Sequence, residues 1–453
     1  MLARDPLGTK NPRMKPISLL AVALLAGGGG LWAETVKDRE GAVRADKAKL
    51  ESSTRWNYEN LDAGFALAAK SGKPLLVVLR CIPCMACMGI DTSVLGDDEL
   101  APLLDQFVCV RVINANSLDL SRFQFDYDLS FSAMIFNGDG TIYGRYGSWL
   151  HQKDPVNKTT AGFRKALEAG LALHKNYPAV KASLAGKQGG PTPYRTPIEF
   201  PTLSAKYPSK LDWEGKVVQS CVHCHMVGDA FRAFYRSRNE AVPPEWIYPQ
   251  PSPEVVGLTL ATDEIAKVDG VAPGSSSAKA GFLPGDNLVS LNGQPLISIA
   301  DVSWALHRAP DGGVIPARIQ RDGKEAVISV ELPTGWRSES DIGRRAGTWP
   351  MRAMAFGGMK LEALDDAERG ELGIAQDAMA LRVMYVGEYG PHAAAKKEGF
   401  RPKDILIEVA DLKRRMTESA LIGHLLQHHR PGEKLPAIVL RGAERIRLQL
   451  PQQ

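Results

Sequence analysis

The hexapeptide Gly281-Phe282-Leu283-Pro284-Gly285-Asp286 recurs as Gly399-Phe400-Arg401-Pro402-Lys403-Asp404. Each copy runs into an apolar strand pattern, Leu288-Val289-Ser290-Leu291 and Ile405-Leu406-Ile407-Glu408-Val409. Self-similarity at this separation means two copies of one unit of about 90–100 residues. It commits residues 254–453 to a repeated fold. A chain of 453 residues then has room for further domains upstream.

In the first copy Val256-Gly257-Leu258-Thr259-Leu260 precedes Val271-Ala272-Pro273-Gly274-Ser275. The hexapeptide, Asn292-Gly293-Gln294-Pro295 and a helix bearing Val302, Ala305 and Leu306 follow. This order resembles a PDZ domain of the kind appended to exported HtrA-type proteases. The resemblance implies β-rich (α+β) domains at 254–335 and, more loosely, 350–453. It also implies capture of protein or peptide C-termini, by strand addition and a loop that binds the carboxylate. Gly257 and Leu258 stand at that loop in the first copy, and Gly358 and Met359 in the second. A role as internal packing modules stays open. No Gly-x-Ser-x-Gly accompanies the repeat, so a protease is not expected.

Residues 50–178 alternate helical and strand patterns. Leu61, Phe65, Ala68 and Ala69 form one helical face, ended by Gly72-Lys73-Pro74. Leu75 to Leu79 is continuously apolar, as in a strand buried on both faces of a parallel sheet. At its end come Cys81, Cys84, Met85, Cys87 and Met88. A helix from Asp98, strands Val108–Ile113, Ala133–Phe136 and Ile142–Arg145, and a helix with Phe163, Leu167, Gly170 and Leu171 inward complete the unit. The order resembles the thioredoxin fold. By that resemblance Cys84 is the attacking thiol and Cys87 the resolving thiol of a thiol–disulfide oxidoreductase. A rival register uses Cys81 and Cys84. A structural disulfide or a Cu(I) site of thiolates and thioethers remains open. Thioredoxins place a proline facing the pair, where this chain has Phe131-Ser132. Cys109, alternating with Val108 and Val110, is expected to be an inert buried thiol.

Residues 180–253 contain Cys221-Val222-His223-Cys224-His225. C-x-x-C-H is the pattern that holds a covalent haem c, with two thioethers and a proximal histidine on the iron. The expectation is a small, mostly α haem-binding segment, with Cys221 and Cys224 as attachment points and His225 as iron ligand. A disulfide and a zinc site are the alternatives. Trp213, Phe231, Phe234, Tyr235, Trp246 and Tyr248 could wall the haem or simply pack the segment. Met226 and His223 are badly placed as distal ligands. The distal side then falls to Lys, Tyr, water, a partner, or one of His151, His174, His307, Met351, Met354 and Met359.

Haem attachment and disulfides belong outside the cytoplasm. Met14-Lys15, the apolar stretch Ile17–Leu25 and Leu31-Trp32-Ala33 read as a signal peptide over residues 1–33. An uncleaved N-terminal anchor is the alternative, and no other membrane span is expected. The formal net charge is +4, most of it in that leader, which leaves no basic footprint for nucleic acid. The sum is a multidomain periplasmic or otherwise extracytoplasmic redox protein, passing electrons or exchanging disulfides with clients or a redox partner. The alternatives are a non-enzymatic binding scaffold with a structural or sensory haem, and soft-metal handling.

Overall fold

The computed structural model describes residues 38–80, 97–129, 131–147 and 160–453. The leader, the Cys81–Cys87 cluster with Met88, and His151 lie outside the described residues. Helix α1 (Arg39–Glu51) packs beside strand β1 (Trp56–Tyr58). Helix α2 (Leu61–Ser71) follows, opened by the Asn60 side chain accepting from the Ala63 amide and closed by Gly72 at φ 67°. Then come β2 (Leu75–Arg80), β3 (Val108–Val112), β4 (Phe131–Phe136), β5 (Ile142–Tyr146) and α3 (Thr160–Lys175). The five strands form one sheet in the order β1-β3-β2-β4-β5. β1 and β2 run parallel to β3, while β4 opposes β2 and β5 opposes β4. This is the thioredoxin-like arrangement. Both faces of β2 are covered, which is why Leu75 to Leu79 needs no polar alternation.

The expected α2 face is off at two positions. Gly64 is buried and Ala69 is exposed. A Cβ at Gly64 would stand 2.3 Å from Val110 Cγ2, so the helix approaches β3 more closely than any side chain there would permit.

Residues 180–253 share a hydrophobic core with the thioredoxin-like sheet. Phe200, Val222, Val227, Ala230 and Phe231 share one core with Leu75, Val77, Val110, Met134 and Phe136 of the sheet. Helix α4 (Cys224–Ser237) thus covers the sheet face that α2 also covers, while α3 covers the other. Phe231 of this core stacks on Trp246 at 3.6 Å and meets Phe200 at 4.9 Å, while Tyr235 and Tyr248 pack into the second repeat and Trp213 beside Val43 and Ile113.

The first repeat holds β6 (Leu258–Leu260), β7 (Val268–Val271), β8 (Asn287–Leu291), β9 (Gln294–Pro295), helix α5 (Ile299–His307), β10 (Gly313–Arg321) and β11 (Lys324–Leu332). Helix α6 (Thr348–Phe356) leads into the second repeat. There β12 (Met359–Ala363), β13 (Leu381–Val386), β14 (Ile405–Val409), α7 (Glu418–His428), β15 (Lys434–Arg441) and β16 (Glu444–Pro451) follow. The repeated hexapeptide has the same job in both copies. Asp286 accepts from the Leu283 amide and pairs with Arg321, which also reaches Gly281 O. Asp404 accepts from the Arg401 amide and pairs with Arg441, which also reaches Gly399 O.

The first repeat docks on the open edge of the thioredoxin-like sheet. Arg145 of β5 donates its amide to Asp301 Oδ1 at 3.0 Å, and its carbonyl accepts from Ser298 Oγ. Asp301 also pairs with Lys187 Nζ at 2.7 Å in a fully buried contact. An exposed edge strand invites foreign pairing. Here the start of α5 occupies it, and Gly144 is required because a Cβ would stand 2.4 Å from Asp301.

Candidate functional site

Parallel strands β2 and β3 end side by side. Leu79 pairs with Val112, so Arg80 and Ile113 are the next residues out. β2 ends at Arg80, and Cys81 is the next residue in the sequence. Cys84 and Cys87 themselves lie outside the described residues. The C-x-x-C-H loop comes to the same edge from a distant part of the sequence. Cys221 Sγ sits 3.7 Å from Ile113 O. The Val222 amide donates to Asn116 Oδ1 at 2.8 Å, and Val222 O accepts from the Ala115 amide at 2.8 Å. Asn116 Nδ2 in turn donates to Ser220 O. Asn116 therefore grips the loop on both sides of Cys221. Nothing in the sequence singled it out.

Cys224 is the first residue of α4, with His223 at its N-cap. The His223 and His225 rings are stacked with centroids 5.9 Å apart. Burial, then the neighbouring His225, pushes His223 down to about 4, so it is neutral at physiological pH. His225 Nδ1 lies 3.9 Å from Asp229. Burial also pushes the Tyr127 hydroxyl up, with Cys224 nearby adding to the effect.

A haem bonded through both thiols needs both sulfurs on one open porphyrin edge. Cys221 is 4% exposed, and its sulfur turns back to Ile113 O and to Val222 O. Val222 between them is buried in the sheet's core, and the loop main chain is pinned to Ala115 and Asn116. Among the described residues the Cys221 sulfur thus faces the end of β3, and the loop that carries it is held by main-chain and Asn116 bonds. Of the distal candidates, His174 bonds Gly72 O and Tyr143 at the opposite end of the sheet. His307 faces the Gln250 amide, and Met351 and Met359 are buried in the second repeat with Met354 against them. Among the described residues no group of three or more His, Cys, Asp and Glu side chains is placed to hold a metal ion. Cys109 is buried, and burial pushes its thiol up to about 12, as an inert thiol requires.

Glu59 closes the same edge. It adopts φ 57°, and its carboxylate accepts from the Ile113 amide and from Asn114 Nδ2. Burial pushes it up to about 7 against the lowering by these two bonds. The unfolded carboxyl titrates near 4.5. The folded state therefore resists ionisation, and this group's contribution to stability falls as pH rises from 4.5 through 7. Glu59→Gln is expected to remove that slope and to stabilise at pH 8 by at most about 3 kcal/mol. Urea unfolding at pH 4.5 and pH 8 checks it: an unchanged pH dependence refutes the assignment.

The loop that enters β4, where thioredoxins hold substrate beside their proline, is clamped from outside the domain. Arg345 donates to Asp126 at 2.7 Å and Asp128 at 3.1 Å, and the Gly347 amide donates to Asp128.

The two loops expected to bind peptide differ. In the first repeat Gly257 adopts φ 87°, and a Cβ there would stand 2.2 Å from Ser275. Leu258 starts β6, whose one strand partner among the described residues is β7. In the second repeat helix α6 fills the groove. Met351, Ala355 and Phe356 pack with Met359, Leu361, Leu421, Ile422 and Leu425 between β12 and α7. The Gly357 and Gly358 amides are spent on Ala353 O and Arg352 O. The Leu361 amide of the β12 edge donates to Glu418 Oε1 at 2.7 Å, and Glu418 pairs with Arg352 at 2.6 Å.

A thioredoxin-like family model matches residues 56–138, and a PDZ domain model matches residues 267–321. Periplasmic serine endoprotease DegP of Escherichia coli (strain K12) is 37% identical over 76 residues, 17% of this chain and 16% of that protein. Periplasmic pH-dependent serine endoprotease DegQ of the same organism is 39% identical over 75 residues, with the same coverage. A probable periplasmic serine endoprotease DegP-like of Hahella chejuensis is 26% identical over 179 residues, 39% of this chain and 36% of that one. The chain thus spans about a sixth of the length of DegP and DegQ. Among solved structures, the HtrA-type protease AlgWS227A with decapeptide is similar at 17% identity and a TM-score of 0.22, covering 38% of this chain and 49% of that one. Among the described residues no helix is long and apolar enough to cross a membrane.

Proposed function

We propose that this chain is an extracytoplasmic thiol–disulfide exchange protein whose thioredoxin-like domain acts on clients captured through the first PDZ repeat. One observation carries the reading. β2 ends at Arg80 on the carboxyl edge of parallel strands in a thioredoxin-like sheet, and the Cys81–Cys87 segment follows it in the sequence. The thioredoxin resemblance gives Cys84 as the attacking thiol there and Cys87 as the resolving one. The periplasmic relatives of the repeat support the compartment, where disulfides persist. The first repeat supports client capture, since Gly257 and Leu258 border an edge strand, whereas Gly358 and Met359 border a groove filled by α6.

The chemistry asked of the chain is modest. A thiolate of Cys84 attacks a client disulfide, and Cys87 resolves the mixed disulfide. The clamp from Arg345 fixes the facing loop without a proline. Alkylation across redox buffers, read at the peptide bearing Cys84 and Cys87, is expected to show one two-electron couple within about −120 to −270 mV. Cys84→Ser should abolish it. A Cys84/Cys87 peptide that stays in one state across the whole range refutes the reading.

A further inference from the structure

We propose that His424 and His428, on the outer face of helix α7, bind one late first-row divalent metal ion of the class of Ni²⁺, Cu²⁺ and Zn²⁺. The site does not depend on the thiol-exchange reading above. Three observations carry it.

The first is placement on a fixed element. Helix α7 turns Leu421, Ile422, Leu425 and Leu426 into the core of the second repeat. Thr417 caps its start by accepting from the Ala420 amide, and Tyr248 donates to Ser419 O. Residues four apart on a helix share one face. His424 and His428 therefore stand one turn apart on the side the core does not use, with His424 half-buried and His428 exposed. Their rings are stacked with centroids 4.2 Å apart. Two histidines at this spacing on one helix can ligate a single ion.

The second is the state of the ring nitrogens. His428 Nδ1 donates to His424 O at 2.9 Å. A carbonyl only accepts, so Nδ1 carries the proton and Nε2 of the neutral ring keeps its lone pair. Metal-ligating histidines are oriented in this way, by a carbonyl or carboxylate that holds the other nitrogen. Burial, then His428, His429 and Arg414, pushes His424 down to about 4. At pH 7 its ring is neutral and has a lone pair to give.

The third is the chemistry around the pair, which selects the ion. Arg414 acts on His424 as a neighbouring cation and opposes any ion held by charge alone. Among the described residues no third His, Cys, Asp or Glu converges on the pair. His429 is set apart, its ring tilted by 56° at 6.3 Å from His424 and its Nδ1 at 2.8 Å from Glu433. Hard ions such as Ca²⁺ and Mg²⁺ need several oxygen ligands. Imidazole suits the later transition ions, which bind through the nitrogen lone pair. A small rotation of the two stacked rings brings both nitrogens to one ion, with α7 unmoved and water in the remaining positions. His424 also lines the cleft of about 450 Å³ between the two repeats, beside Arg337 and Thr417. The ion thus sits where the repeats meet, a common place for ligands.

The test uses the full-length protein, stripped with a chelator and with its accessible thiols blocked by N-ethylmaleimide. Ni²⁺ is the probe. Binding is read by calorimetry, and histidine reactivity by diethyl pyrocarbonate labelling and mass spectrometry. Ni²⁺ is expected to protect His424 and His428 together and to leave His429 reactive. Zn²⁺ should protect the same pair, and Mg²⁺ should not. His428→Ala should weaken binding at the pair by at least about tenfold, since even a group that only supports a ligand is worth that much. His424→Gln should do the same, and His429→Ala should leave binding unchanged. His428 touches only its own helix in the bond described, so its variant keeps the fold and reads the metal alone. Labelling of His424 and His428 that saturating Ni²⁺ leaves unchanged overturns the inference. Protection of His424 that survives in His428→Ala overturns it too, as does an equal loss of affinity in His429→Ala.

Discussion

Asp301→Ala is expected to cost about 3–5 kcal/mol of stability, because it leaves a buried cation without its partner. Lys187 is fully buried, and its ammonium meets Asp301 Oδ2 at 2.7 Å. Arg145 beside it is also fully buried and lies over the Trp304 ring at 3.6 Å. Burial already pushes Arg145 down to about 9 and Lys187 below its usual range. The same carboxylate accepts from the Arg145 and Ile297 amides, so the variant also orphans two backbone donors. The pH dependence follows in sign. A buried lysine without its carboxylate folds more readily when neutral, while in the unfolded chain it titrates near 10.5. The deficit of the variant should therefore shrink as pH rises from 7 towards 10. Asp301→Asn keeps an acceptor for one of the two backbone amides and should fall between the variant and the parent. Urea unfolding followed by tryptophan fluorescence checks these orders. A loss below about 1 kcal/mol refutes the claim that this ion pair holds the first PDZ repeat to the sheet.

The parts of this architecture that lie close together in sequence were legible in it. The apolar run Leu75 to Leu79 announced a strand buried on both faces, because nothing solvent-facing interrupts it. The two Gly-Phe-x-Pro-x-Asp copies announced the repeat, because a turn needing glycine and a carboxylate folded back on its own loop use neighbouring residues. What those carboxylates pair with was not legible. Arg321 and Arg441 stand 35 and 37 residues away, and no local pattern marks them. The Ala69 error has the same origin in miniature. Helical periodicity gave the face to within one residue, but the close approach of Val110 selected Gly64.

The candidate site shows the limit more sharply. C-x-x-C-H spacing states which sulfurs can act together, and says nothing of what backs onto them. That is decided by Ile113, Ala115 and Asn116, more than a hundred residues upstream. The aromatic residues after the motif gave no periodic signal, so residues 180–253 read as a separate unit. Their partners are the sheet residues Val77, Val110 and Phe136, and the segment closes the thioredoxin-like core instead of building one of its own. The loop expected to bind a carboxylate in the second repeat, at Gly358 and Met359, leads into β12 beside a groove that α6 fills. Its closure by α6 depends on Arg352 meeting Glu418, 66 residues on.

That closure makes the last expectation. Glu418→Ala should destabilise the protein by about 3–5 kcal/mol, since Arg352 is then a buried cation without its carboxylate. It should also free the edge of the second PDZ repeat. Glu418 sits at the start of α7, takes both Nε and Nη2 of Arg352, and accepts the Leu361 amide of β12. In PDZ domains that edge amide is what an added peptide strand would use. With Glu418 in place, the edge has an internal acceptor and α6 lies in the groove. Hydrogen exchange should therefore show the Leu361 amide protected in the parent and fast in Glu418→Ala. A peptide with a free C-terminal carboxylate should bind one site in the parent and a second, weaker one in the variant. Arg352→Met with Glu418→Leu should recover most of the lost stability, because an apolar pair can replace a buried ion pair at little cost. It should leave the Leu361 amide unsatisfied and exchanging. Helix α6 begins three residues beyond Arg345, which clamps Asp126 and Asp128 in the loop entering β4. Freeing α6 should then also quicken exchange at residues 126–128. Unchanged exchange at Leu361 in Glu418→Ala would show that α6, and not the carboxylate, keeps the groove shut. Unchanged exchange at residues 126–128 would show that the second PDZ repeat and the loop entering β4 are held independently.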